Sequence, residues 1–266
     1  AADLLQDFVQ RISGASLPIV EGKAKSGDVV IGGKSAEAGE DGFTLCTEQN
    51  QLRITSGGDK GSIYGVVTLL EKYMGVSYYQ AYTLTPSKTI SLPEIHLSET
   101  PAFRYRQSFS YGCDDPIYKM WFRLEEPNEV FIDNMWVHTF DRLMPSEVYG
   151  KEHPEYYSYI NGEHRPGNHS QWCLTNPDVY DFVVKKLDSV FKANKKLISV
   201  SQNDGNNTFC TCENCRKVYE EEGSPAGAYI RFMNKLAERF PDKEISTLAY
   251  LFTMHPPNMQ HNYPIS

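Results

Sequence analysis

Along the first part of the chain, apolar residues recur at helical spacing. Leu4, Leu5, Phe8, Val9 and Ile12 fall on one face, which predicts an amphipathic helix at the start. Short alternating runs follow: DVVIGG (Asp28 to Gly33), GFTLCT (Gly42 to Thr47) and QLRITS (Gln51 to Ser56), the last two joined by a hairpin link around EQN. A second helix is expected from Lys60 to Met74, with Ile63, Val66, Val67, Leu70 and Tyr73 on its apolar face. Gly61 and Gly65 would let its backbone approach a sheet, and Gly75 would stop it. The stretch TPSKTISLPEIHLSETPAF (Thr85 to Phe103) holds three prolines and little periodicity, as a linker does.

From Phe103 the pattern changes to strands alternating with long helices. The strand candidates are FRYRQSF (Phe103 to Phe109), DNMWVHTF (Asp133 to Phe140), LISVSQ (Leu197 to Gln202) and EISTLAYLFT (Glu244 to Thr253). One helix opens on Asn176 and Pro177 and buries Val179, Phe182, Val183, Leu187, Val190 and Phe191. Another opens on Ser224 and Pro225 and buries Tyr229, Phe232, Met233, Leu236 and Phe240. This alternation argues for parallel βαβ units. Arg104, Arg106 and Ser108 share one strand face, and Ser199, Ser201 and Asn203 share another. Inward polar residues near strand ends suit a (β/α)8 barrel better than a doubly wound sheet. No G-x-G-x-x-G follows a strand, so a nucleotide fold has no support. The expectation is an α/β chain: a small α/β domain over residues 1–96, then about the first four β/α units of a TIM-barrel-like domain over 97–266. A loop in PPNMQHNYPIS would lead to the fifth strand.

Composition narrows the function. The net charge of -8 argues against nucleic acid, whose phosphates need a basic face. No apolar run approaches the roughly 20 residues of a membrane span. The start AADLLQDF lacks a basic region followed by an apolar one, so any signal peptide is expected to have been removed. Seventeen tyrosines among 12% aromatics suit stacking on sugar rings, as they suit an aromatic core.

Four places carry candidate chemistry. His138 sits near the end of the second strand candidate, in register with Asn134 and Trp136, as a ligand-contacting histidine or a core one. Asn203 and Asp204 follow LISVSQ, where a carboxylate can serve as acid, base or hydroxyl-binding group; Asp204-Gly205 is equally a turn. Arg106 would hold a substrate's oxygens or an internal acidic partner. Cys210, Cys212 and Cys215 form C-x-C-x2-C, with Cys173 as a fourth thiol, open to a structural zinc, a disulfide or reduced thiols. Cys46 and Cys113 read as buried small residues. The long loop from Ser146 to Trp172 offers Tyr156, Tyr157, Tyr159 and Trp172 for sugar stacking or for its own packing.

The ordered series HPEYYSYINGEHRP, WCLTNPDVYDFV, ISVSQNDG, CTCENC, SPAGAYIRFMNKLAE and ISTLAYLFTMHPP resembles the bacterial family called domain of unknown function 4838, whose members are linked to polysaccharide use. The preceding GSIYGVVTLLEKYMGVSYYQAYTLTPSKTISLP is similar to the small α/β domain found before the barrel in family 20 hexosaminidases and in α-glucuronidases. The resemblance implies a secreted or periplasmic protein of glycoside hydrolase type, with a glycan or oligosaccharide as partner and no cofactor needed for catalysis. Carried onto this chain, it places Arg106 on the first strand, His138 on the second, Asn203 and Asp204 on the third and Tyr250 on the fourth. Asp204 is then the catalytic candidate, and the others bind substrate. The Asp-Glu pair of family 20 enzymes is absent, since ISTLAYLFT holds no acidic residue after Glu244.

Overall fold

In the computed structural model, residues 1–167, 169–192, 197–205 and 208–258 are described. Most of the PPNMQHNYPIS segment, residues 259–266, lies outside them. The structure is mixed α/β, and it divides by internal contacts into two units, Ala1–Glu125 and Glu126–Ser266.

In the first unit, α1 (Ala2–Ser13) buries Leu5, Phe8, Val9 and Ile12, and ends at Gly14, whose φ of 79° a side chain would resist. Strands β1 (Val29–Lys34), β2 (Phe43–Glu48), β3 (Gln51–Ser56) and β4 (His96–Glu99) form one sheet in the order β1-β3-β2-β4. The β1–β3 pair is parallel, and the other two are antiparallel. The β2–β3 hairpin turns through Gln49 and Asn50, both at positive φ, in the sense that matches strand twist. Helix α2 (Gly61–Tyr73) lies directly on this sheet. A Cβ at Gly61 would meet the Gly42 carbonyl oxygen at 2.0 Å, and one at Gly65 would meet Ile54 at 2.6 Å. The two glycines therefore set the helix-to-sheet distance, as their spacing predicts.

FRYRQSF forms no strand. Phe103 and Phe109 are exposed, so the apolar positions have no sheet face to cover. Arg106 instead packs within the first unit. Its guanidinium donates to Glu125 and, at 3.0 Å, to Asp41, and also to the carbonyls of Arg123 and Phe103. Lys60 pairs with the other oxygen of Glu125, which is 4% exposed. Of the two roles open to Arg106, the internal ion pair is the one these contacts make.

The second unit carries α3 (Pro177–Val190), β5 (Leu197–Ser199), α4 (Glu213–Glu222), α5 (Ala226–Arg239) and β6 (Glu244–Ser246). Asn176 caps α3 by accepting from the Asp178 N–H, and Pro177 follows it at the first helical position. The core joins Val179, Val183 and Leu187 of α3 to Tyr229, Phe232 and Leu236 of α5 and to Ile198 and Val200 beneath them. Strands β5 and β6 pair in parallel, and Phe131 bridges Leu197 in parallel on the other side. Three chain segments thus run side by side with helices between them, but no closed barrel is seen among the described residues.

Two expected strands are shorter than their patterns suggest. DNMWVHTF follows β5 only intermittently: Ser199 N–H donates to the Met135 carbonyl at 2.9 Å, and Thr139 N–H to the Ser201 carbonyl at 3.0 Å. Left-handed backbone at Asp133 and Asn134, just before the first contact, and at His138, between the two, breaks the ladder. EISTLAYLFT is a strand only over Glu244–Ser246 and ends in a 3-10 turn, Leu251–Thr253. Among the described residues, no helix is long and apolar enough to cross a membrane.

Candidate functional site

The chain beyond β5 stays extended and buried through Val200, Ser201, Gln202 and Asn203 before Asp204 emerges. Val200 N–H donates to the Ser246 carbonyl, which continues the pairing with β6. Gln202 organises what surrounds the exit. Its N–H donates to the Tyr229 hydroxyl at 2.6 Å, its side-chain amide donates to the Tyr250 carbonyl at 2.7 Å, and its Oε1 accepts from the Thr253 hydroxyl at 2.8 Å. The fourth-strand segment is thereby clamped to the third.

Three of the residues picked out by sequence meet here. Tyr250 donates its hydroxyl to Asp204 Oδ1 at 3.0 Å, and that carboxylate raises the phenol's pKa. The Tyr250 ring lies edge-on to His138, with centroids 5.6 Å apart. His138 Nδ1 sits 2.8 Å from the Gln202 carbonyl oxygen. A carbonyl only accepts, so Nδ1 is the donor in this contact, and the bond fixes the orientation of the ring. His138 also holds φ at 50°, and Leu251, beside Tyr250, holds 52°. Such strain outside glycine persists only where surrounding bonds impose it. The cluster pairs a carboxylate, a phenol and an oriented imidazole, able to bind hydroxyls or to move protons.

Asn203 is placed differently. It is 3% exposed, and its side chain is spent inside the protein. Its Nδ2 donates to the Ser170 carbonyl at 2.6 Å, and its Oδ1 accepts from the Asp141 N–H at 3.1 Å. Gln171 completes the clamp: its Oε1 accepts from the Asn203 N–H, and its Nε2 donates to the Asn203 carbonyl. Arg106 lies in the first unit, in the ion-pair network described above.

Sequence reasoning passes over Asp141, which follows His138 by three residues. Burial pushes its carboxyl up from the ordinary 3.8, opposed by a hydrogen bond from Asn203 and by His169. Its Oδ1 is buried without a hydrogen-bond partner. The available signal was its position, just past the end of the same strand candidate as His138.

Two of the proposed stacking surfaces turn inward. Tyr157 and Trp172 are fully buried, Trp172 stacked on Phe140 at 3.7 Å. Tyr156 and Tyr159 remain half-buried, against His153 and His164. Cys46 is likewise not buried: it lies half-exposed on β2, with its sulfur 3.3 Å from His96 Nδ1.

The remaining cysteines gather at one point. The sulfurs of Cys173, Cys210, Cys212 and Cys215 all lie within 4.8 Å of one another. Cys173 Sγ is 3.8 Å from Cys212 Sγ and 4.0 Å from Cys215 Sγ. Hydrogen bonds from the Cys210 and Cys215 thiols drive the Cys173 pKa down.

Comparison with known proteins gives the family of the chain. The family model described as "Domain of unknown function (DUF4838)" matches residues 77–265, most of the chain. The chain belongs to the DUF4838 family. Residues 1–75 match a second model, "Glycosyl hydrolase family 20, domain 2", so a domain type known from glycoside hydrolases precedes the DUF4838 region. Among solved structures, the crystal structure of a beta-N-acetylhexosaminidase is similar at 12% identity, with a TM-score of 0.39. The match covers 85% of this chain and 62% of that one, so the chain spans less than two thirds of its length. No curated protein matches the chain.

Proposed function

We propose that this DUF4838 chain is, or is part of, a secreted or periplasmic carbohydrate-active protein of glycoside hydrolase type. Its second unit would supply the first β/α units of a TIM-barrel-like domain. Two things support the barrel: the parallel run of Phe131, β5 and β6, and the placing of chemical groups just beyond the strand ends, where barrel enzymes carry them. The glycoside hydrolase domain that precedes the DUF4838 region supports a glycan as substrate.

The observation that carries the reading is the Asp204–Tyr250 hydrogen bond beside the oriented His138. Asp204 acts as acid, base or hydroxyl-binding group, and Tyr250 and His138 line the pocket. Asp141, a carboxyl whose pKa burial raises, provides a second acidic group on the Asn203 side. Because the segment after Glu244 carries no carboxylate, the Asp-Glu chemistry of family 20 is not part of this proposal.

The test is hydrolysis of a broad glycan panel by the full-length protein and its Asp204→Asn variant. Loss of a positioned acid or base lowers turnover by about 10²–10⁴-fold. Unchanged turnover removes Asp204 from the mechanism. Lack of the family 20 acidic pair favours a second reading, a glycan-binding protein without turnover. Saturable binding with no product released from any glycan would select it.

A further inference from the structure

We infer that Cys173, Cys210, Cys212 and Cys215 hold a single zinc ion that braces the loop carrying Asp204. This inference rests on the thiols alone and stands whether or not the protein cleaves a glycan.

Geometry selects the ion. Zinc binds thiolates tetrahedrally at about 2.3 Å, so neighbouring sulfurs lie about 3.8 Å apart. The separations of 3.8 and 4.0 Å from Cys173 match that edge, and all four sulfurs fit within 4.8 Å. A disulfide would bring two sulfurs to about 2.05 Å, and all six cysteines are free. A [4Fe–4S] cluster takes each thiolate on a separate iron and a [2Fe–2S] cluster takes two on each of two irons, so either needs a wider cage than this one. Magnesium and calcium prefer oxygen donors, while four thiolates in a tetrahedron suit zinc.

The surroundings are those of a closed structural site. Cys173, Cys210 and Cys215 are at most 5% exposed, leaving no open position for a substrate. The Tyr159 N–H donates to Cys210 Sγ at 3.3 Å, and the Thr175 hydroxyl lies 3.2 Å from Cys215 Sγ. Such donors spread the charge of a thiolate set. Cys212 is the N-cap of α4, where the helix dipole favours an anionic sulfur.

The connection to Asp204 runs along two adjacent segments. Gln171 clamps Asn203, and two residues after Gln171 the Cys173 sulfur meets those of Cys210, Cys212 and Cys215. Asp204 leaves the strand between these two ties. A metal at the second tie would fix a polar loop that has little apolar surface of its own to bury.

The experiment is metal analysis of purified full-length protein, followed by replacement of the ion with cobalt(II). The expected result is one zinc per chain. Cobalt(II) should give the intense thiolate charge-transfer and tetrahedral ligand-field bands of a four-sulfur site. Cys46→Ser and Cys113→Ser should leave metal content unchanged. Cys212→Ser, at the half-exposed ligand, should lower zinc retention against a chelator at least 10-fold and alter the cobalt spectrum. Wild-type protein that binds neither metal overturns the inference. An iron–sulfur chromophore in anaerobically prepared protein overturns it equally. So does a Cys212→Ser variant with an unaltered cobalt spectrum, a readout independent of any failure to fold.

Discussion

Replacing Asn203 with alanine is expected to destabilise the second unit rather than to weaken a ligand contact. The side chain donates to the Ser170 carbonyl at 2.6 Å and accepts from the Asp141 N–H at 3.1 Å, beside its hydrogen bond to the Asp141 carboxyl. Ser170 and Asn203 are both buried, so the carbonyl left behind has little access to water. A buried group stripped of its partner costs about 1–3 kcal/mol. The Asp141 N–H is nearer solvent and recovers part of its loss, so the two together come to about 2–4 kcal/mol. For a protein of this size that lowers Tm by roughly 5–15 °C. Asn203→Asp keeps the acceptor for Asp141 but sets an oxygen against the Ser170 carbonyl and a second carboxylate beside Asp141. It should cost at least as much, increasingly so as pH rises. Thermal and urea melts measure both variants, with glycan binding or turnover followed below the melting range. An Asn203→Ala protein that melts within about 2 °C of wild type yet loses glycan activity refutes this reasoning. It would make Asn203 a ligand contact after all.

Two further outcomes follow from the titratable groups. Glu125→Ala leaves Arg106 and Lys60 without their shared carboxylate. Removing one partner of a buried pair costs about 3–5 kcal/mol; because Lys60 and Arg106 are 30% and 15% exposed, about 2–3 kcal/mol is expected in urea melts, and no change would place the network in water. Asp141 has a pKa raised in the folded protein, so the stability it contributes is fully present below its ordinary 3.8 and is lost as pH rises through the folded value. Asp141→Asn should therefore gain on wild type as pH rises across that window, measured by urea melts over a pH series. A difference that stays constant with pH would contradict the burial of that carboxyl.

How much of this was readable in the sequence follows from how far each residue reaches. Asn176 with Pro177, the Gln49-Asn50 turn and Gly75 act on backbone a few residues away, and the structure places them as their chemistry demands. Gly61 and Gly65 were legible too, because a gap at helical spacing states that something must come close. Helix α4 was not, since ENCRKVYEEE buries only Cys215 and Glu222 and shows no apolar face. Left-handed backbone at His138 interrupts one strand that alternation suggested, the other stops at Ser246 well before the turn at Leu251, and neither residue type announces it.

The site divides along the same line. His138, Asp204 and Tyr250 were picked out as polar or aromatic residues near strand ends, and three distant segments bring them together. Asn203 satisfied the same criterion and went inward. A polar residue at the end of a buried strand must either face an opening or satisfy the backbone of a neighbouring loop. For Asn203 the deciding partners, Ser170 and Gln171, lie more than thirty residues earlier, in a loop without periodicity. Asp204 differs from it by one position and by the alternation of an extended chain, which turns one side chain to the loop and the next to the opening. Which of the two faces outward is fixed by register, and register here is set by Gln202 gripping Tyr250 and Thr253 from the far side.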